Sequence, residues 1–186
     1  MDIIGLVILG ALALYAVVTY NGLVKARQMV REAWSGIDVQ LKRRANLIPN
    51  IIETVKGYAK HEKETLTEVI EMRNRAQSVP ANDVAGRAQA EGLLDQALGR
   101  IFALAEDYPE LKANENFAEL QSTLNELENE IQMSRRYYNG AARDLNVRIE
   151  SFPSNLVANT FKFGQADYFE IMNDAERAVP KVDFGT

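Results

Sequence analysis

The sequence predicts an all-α protein: a single N-terminal transmembrane helix followed by an antiparallel four-helix bundle and a short C-terminal amphipathic segment. Three observations carry this reading. From Ile3 to Val24 no side chain is charged, and at ~1.5 Å per residue a helix of that length reaches ~33 Å, enough to cross a hydrocarbon layer ~30 Å thick. Beyond it, apolar residues recur three and four apart almost everywhere, with no sustained period-two alternation. The remaining ~160 residues amount to one ordinary domain and can bury a continuous core. The organisation expected is an anchor over 1–24, a helical bundle over 25–152, a membrane-proximal or core-capping segment over 153–172 and a mobile tail over 173–186.

The competing reading of the N-terminus is a cleaved signal sequence, since Ala11-Leu12-Ala13 resembles a small-x-small cleavage site. A signal sequence carries its basic residues ahead of the apolar run, whereas only Met1 and Asp2 precede Ile3 here. The basic residues Lys25, Arg27, Arg31, Lys42, Arg43 and Arg44 all follow the run. Basic flanks stay cytoplasmic, so the expected placement is a bacterial inner membrane with the N-terminus out and the bundle in the cytoplasm. Lys25, Arg27 and Arg31 are candidate lipid-facing residues, able to meet anionic headgroups. Glu32 and Asp38 are interleaved with them, which also suits an ordinary solvated helix face.

The first bundle helix continues out of the anchor through Val30, Trp34, Ile37 and Leu41 on one face. Pro49 interrupts it, because proline lacks an amide hydrogen and its ring clashes with the preceding turn. Either the chain reverses there or one long helix kinks; reversal is favoured, because Asn46 can cap a new helix with Pro49 in its first turn. That second helix would carry Ile48, Ile51, Ile52, Val55, Tyr58, Ala59, Leu66, Val69 and Ile70 inward, present Lys60-His61-Glu62-Lys63-Glu64 to solvent and end before Pro80. Arg43, Arg44, Asn46, Pro49 and Asn50 gather polar groups at the junction, which caps the turn or serves as a partner-docking tip.

A third helix, about Asp83 to Glu106, buries Leu94, Leu98, Ile101 and Ala105. Ala85, Gly92 and Gly99 fall at heptad spacing on another side, where small residues would let a neighbouring helix or a second copy approach closely. The fourth helix repeats Phe117, Leu120, Leu124, Leu127, Ile131, Ser134, Tyr138, Ala141 and Leu145 in a three-four alternation, the seam of a bundle or coiled coil, with Asn116 and Glu119 as its expected cap. Past Pro153, Leu156, Val157, Phe161, Phe163, Tyr168 and Phe169 form an aromatic-rich stretch. In an up-down-up-down bundle it returns to the membrane end, where Phe161 and Phe163 are further candidate lipid-facing residues or caps of the core.

The composition restricts function more than it assigns it. A net charge of -5 disfavours a general nucleic-acid binder, and the lack of cysteine removes disulfides, thiolate catalysis and sulfur-ligated metals. No Glu-x-x-His pair offers a di-iron site, and neither a phosphate-cradling glycine loop nor a Gly-x-Ser-x-Gly elbow is present. His61 sits between Lys60 and Glu62 on a polar face. Glu126, Glu128 and Glu130 alternate along a helix and so point to different sides, as a solvated face would. No enzymatic activity, cofactor or metal is expected.

Together Tyr20-Asn21, Leu23-Val24, Arg27, Ala33-Trp34, Ile37 to Arg44, Leu47-Ile48-Pro49-Asn50, Glu53 to Tyr58, Leu111-Lys112-Ala113, Glu128, Ile131, Arg135, Tyr138-Asn139 and Phe152-Pro153-Ser154-Asn155 make the chain resemble the LemA family of bacterial membrane proteins. The resemblance implies a single-pass protein with an antiparallel four-helix bundle and no established enzymatic activity. Some relatives are associated with magnetosome membrane formation, and others neighbour genes for membrane proteases or TPM-domain proteins. Three function classes follow: a membrane-anchored scaffold that self-associates as a homo-oligomer, which is the preferred reading, an adaptor for a membrane protease or export complex, and a hydrolase with an unrecognised site. The last needs a concave polar pocket, which a filled bundle core does not provide.

Overall fold

The computed structural model describes residues 3–170. Six helices make up 84% of them and no strand occurs among them. In chain order these are α1 (Ile3–Tyr58), α2 (Lys63–Ser78), α3 (Val84–Ala105), α4 (Pro109–Lys112), α5 (Glu115–Glu150) and α6 (Ser154–Thr160). The expected mobile tail at 173–186 lies outside the described residues.

The reversal expected at Pro49 does not occur. α1 is one helix of 56 residues with Pro49 inside it. Proline withdraws the amide that would bond the carbonyl four residues back, that of Ala45, and an unpartnered carbonyl is costly. Arg73 of α2 supplies the missing donor: its Nε donates to the Ala45 carbonyl at 2.7 Å. The continuous helix therefore rests on a guanidinium brought from a distant point in the chain.

The break falls instead at Ala59–Glu62, within the polar run expected to be a solvated helix surface. Buried Ala59 folds inward there, while Glu62 accepts a bond from the Tyr108 hydroxyl at 3.0 Å and the Tyr58 hydroxyl accepts from Asn114 Nδ2 at 2.9 Å. These side-chain bonds add to the backbone bonds of the turn, from the Ala59 amide to Val55 and from the Glu62 amide to Ala59.

The chain forms two compact units. Among the described residues, one takes 3–44 and Asn125–Tyr168; the other takes Ala45–Leu124 with Phe169 and Glu170. α1 and α5 each contribute residues to both. In the second unit the core gathers Ile48, Ile51, Ile52 and Val55 from α1, Leu66, Val69 and Ala76 from α2, Leu94, Leu98 and Ile101 from α3, Leu111 from α4, and Phe117 and Leu124 from α5. Burying each large aliphatic or aromatic side chain contributes about 1.5 to 3 kcal/mol, so this cluster makes the unit cohesive. α3 starts at an Asp83 cap whose carboxylate accepts from the Gly86 amide at 2.8 Å. α5 is capped by Asn114, whose Oδ1 accepts from the Phe117 amide at 2.9 Å, and not by Asn116 as expected.

In the first unit the buried stripe of α1 (Leu23, Ala26, Val30, Ala33, Ile37, Leu41) and that of α5 (Leu127, Ile131, Tyr138, Ala141, Ala142, Leu145, Ile149) form the core. Arg44 pairs with Glu128, the Trp34 ring meets Tyr138 at 5.5 Å, and Arg148 lies against Gly22. Residue numbers thus climb along α1 as they fall along α5. After α6 the chain runs back along α5 without regular structure. Buried Asn146 holds it, donating to the Ala166 carbonyl and accepting from the Ala166 amide, and the Tyr138 hydroxyl donates to the Asp167 carbonyl at 2.8 Å.

Candidate functional site

The surface that asks for a function is the N-terminal part of α1. From Ile3 to Val18 its large apolar side chains are all exposed, Ile3 at 81% and Leu14 at 66%. An apolar patch on this scale is rare on a soluble monomer and marks a lipid or protein contact. Among the described residues this is the one helix with the length and composition to cross a membrane.

Packing begins at Tyr20. Its ring lies edge-on to Phe161 at 4.8 Å and to Phe163 at 5.7 Å, and the Arg27 guanidinium sits 4.9 Å from the centre of the Phe163 ring. A cation over an aromatic face is attracted by the ring's negative π-surface. The five candidate lipid-facing residues therefore divide. Lys25, Arg31 and Phe161 are exposed, whereas Phe163 is buried and Arg27 half-buried on top of it. Phe163 caps the first unit's core; it does not face outward.

The small-residue stripe also divides. Gly92 is buried within its own chain, while Ala85 and Gly99 are exposed. A Cβ added at Gly99 would meet nothing within 4 Å, so no backbone of the same chain uses that gap.

The expected docking tip is not a tip. Arg43, Asn46, Pro49 and Asn50 lie exposed inside α1, in its C-terminal third, and Arg44 is fully buried with its Nη1 donating to Glu128 Oε1 at 2.5 Å. Glu128 in turn is half-buried and paired, which corrects its reading as part of a solvated acidic face; Glu126 and Glu130 do stay exposed. Sequence reasoning also missed the Arg87–Glu91 pair, buried on α3 at 2.7 Å. Spacing gave one available hint, since charges four apart on a helix face each other.

Tyr138 illustrates the electrostatics of this core. Burial pushes its phenol up to about 12, with the Asp167 carboxylate adding to the rise. The shift comes first from desolvation of a packing residue whose hydroxyl donates to the Asp167 main-chain carbonyl. Among the described residues no group of three or more His, Cys, Asp or Glu could hold a metal ion.

A family model described as the LemA family matches residues 33–184. The chain belongs to the LemA family. The match covers most of the sequence and starts after the exposed apolar segment of α1. Among curated proteins, Magnetosome protein MamQ 2 of Paramagnetospirillum magneticum is 26% identical over 81% of this chain and 64% of its own length. Protein LemA of Metamycoplasma hominis is 25% identical over 89% of this chain and 73% of its own. Magnetosome protein MamQ of Magnetospirillum gryphiswaldense is 22% identical over 81% and 64%. The chain thus spans less than two thirds of the magnetosome relatives it matches. None of these names describes a reaction.

Proposed function

We propose that this LemA-family chain is a membrane-anchored structural protein whose helical domain associates laterally with further copies to organise or remodel a bacterial membrane. The observation that carries the reading is the unburied apolar length of α1, joined without a break to the helix that builds both packed units. The anchor crosses with its N-terminus out, and the basic residues after it hold the domain on the cytoplasmic side. An antiparallel four-helix arrangement of α1, α2, α3 and α5 is supported by the core they share and by the opposed numbering of α1 and α5 contacts. The absence of a reaction in the relatives' names, and the magnetosome origin of three of them, agree with a role in membrane structure.

The test is reconstitution of fluorescently tagged full chain into liposomes, with copies per cluster counted by stepwise photobleaching. Clusters that grow with protein density support the scaffold. Single copies at every density overturn it. Crosslinking in cells to one stoichiometric protein, without self-crosslinks, would place the chain as an accessory subunit of a membrane protease or export complex.

A further inference from the structure

The apolar surface does not stop at α1. At the turn from α5 into α6, Phe152 is 79% exposed, Leu156 59% and Phe161 56%. Phe152, Pro153, Leu156 and Val157 line one wall of an open cleft of about 590 Å³, and Ile8, Ala11, Leu12 and Tyr15 of α1 line the other. Among the described residues that line it, none is charged.

We propose that this turn is a second membrane-inserting element and that lipid acyl chains fill the cleft between it and α1. The inference rests on the anchored reading of α1 and adds where the rest of the first unit meets the bilayer. Depth along the helix carries it. Ile8 to Tyr15 lie in the middle of the uncharged run Ile3 to Val24. If that run lies in hydrocarbon, the side chains across the cleft from Leu12 lie there too, since a helix fixes axial position at ~1.5 Å per residue.

The turn is built for that setting. Backbone in hydrocarbon must bond internally, and here the Ser151 amide donates to Val147, Asn155 to Ser151, Leu156 to Pro153 and Phe161 to Val157. Pro153 has no amide to satisfy. The Ser154 hydroxyl donates back to the main chain, shared between the Arg148 and Ser151 carbonyls, and that of Thr160 donates to Leu156, so these two hydroxyls are satisfied within the turn. Polar groups reappear at one level. Tyr20 packs on Phe161 and Phe163, as an interfacial aromatic does, and Lys162 and Arg148, which lies against Gly22, are exposed near it. Phe161 marks the boundary, and Phe152 and Leu156 lie deeper.

Because the native chain has no cysteine, single nitroxides can be placed in the full chain by Leu12→Cys, Phe152→Cys, Leu156→Cys and Glu126→Cys. The variants are reconstituted in vesicles of phosphatidylcholine and phosphatidylglycerol, and collisions with oxygen, which concentrates in lipid, are compared with those of a water-soluble nickel chelate. The expected result is an oxygen-to-nickel ratio at positions 12, 152 and 156 several-fold above that at 126. A high ratio at 12 with values like that of 126 at 152 and 156 overturns the inserted turn and leaves the anchor standing. Low ratios at all three overturn both. Protection from both reagents at 152 and 156 shows protein, not lipid, in the cleft and also overturns the proposal.

Discussion

A proline in a helix interior costs roughly 3 kcal/mol relative to alanine, yet Pro49 sits inside α1, in its C-terminal part and well clear of its first turn. The bond from Arg73 Nε to the Ala45 carbonyl explains how the helix survives, and it couples two residues that no local pattern connects. Arg73→Met should destabilise the protein by about 1 to 3 kcal/mol, the cost of a carbonyl left without a donor. In a Pro49→Ala background the residue-49 amide bonds that carbonyl, so the same Arg73 change should cost much less. Urea unfolding of the four full-chain proteins in detergent measures the coupling; equal Arg73 penalties in both backgrounds would remove the explanation. A second contrast lies on α5. Glu128→Ala leaves the fully buried Arg44 guanidinium without this carboxylate and should cost about 2 to 4 kcal/mol, whereas exposed Glu126→Ala should stay within about 0.5 kcal/mol. Tyr138 adds a pH signature. Its folded pKa of about 12 stands above the ordinary 10.0, so the folded state holds the proton more tightly than the unfolded chain. The stabilisation is complete below the unfolded value and is lost as pH climbs from about 10 to about 12, in all about 2 to 3 kcal/mol. Tyr138→Phe should remove that part of the alkaline decline, and unfolding curves collected between those pH values read it directly.

At the scale of elements, the caps decide where α3 and α5 begin. Asp83→Ala and Asn114→Ala each remove a side-chain acceptor from a first-turn amide and should lower stability by about 1 kcal/mol. Asn116→Ala should have a smaller effect, because α5 has already started there; thermal unfolding of the three variants discriminates between the two asparagines. The same comparison shows what a sequence can reveal. The buried positions of α5, from Phe117 to Leu145, were legible because one face of a helix repeats in the chain itself, and so were Leu94, Leu98 and Ile101 of α3. The uncharged run at the start of α1 was legible for the same reason. Pro49 was misread because its missing donor is replaced by Arg73, far along the chain, and local rules carry no record of that. The turn at Ala59–Glu62 was misread because its polar residues look like any solvated helix face, while the bonds from Tyr108 and Asn114 that hold it are tertiary. Composition left Phe163 either lipid-facing or a cap of the core, and Tyr20 and Arg27, which enclose it, decide for the cap.

At the scale of the whole molecule, the scaffold reading needs a surface through which copies meet, and the small-residue stripe of α3 can be tested without confusing assembly with folding. Gly92 is taken up inside its own chain, so Ala85 and Gly99 are what the stripe still offers. A side chain added at Gly99 meets nothing of its own chain within 4 Å, and replacing a helical glycine stabilises by up to about 1 kcal/mol. Gly99→Leu should therefore raise the Tm of the isolated chain. If two copies bring their backbones together at this stripe, the same leucine stops the approach and lowers the number of copies per cluster in liposomes. The two readouts move in opposite directions, which no general loss of folding can imitate. A higher Tm with unchanged cluster size would take the stripe out of the assembly and leave the exposed face of α5, with Met133, Tyr137 and Val147, as the next surface on which copies could meet.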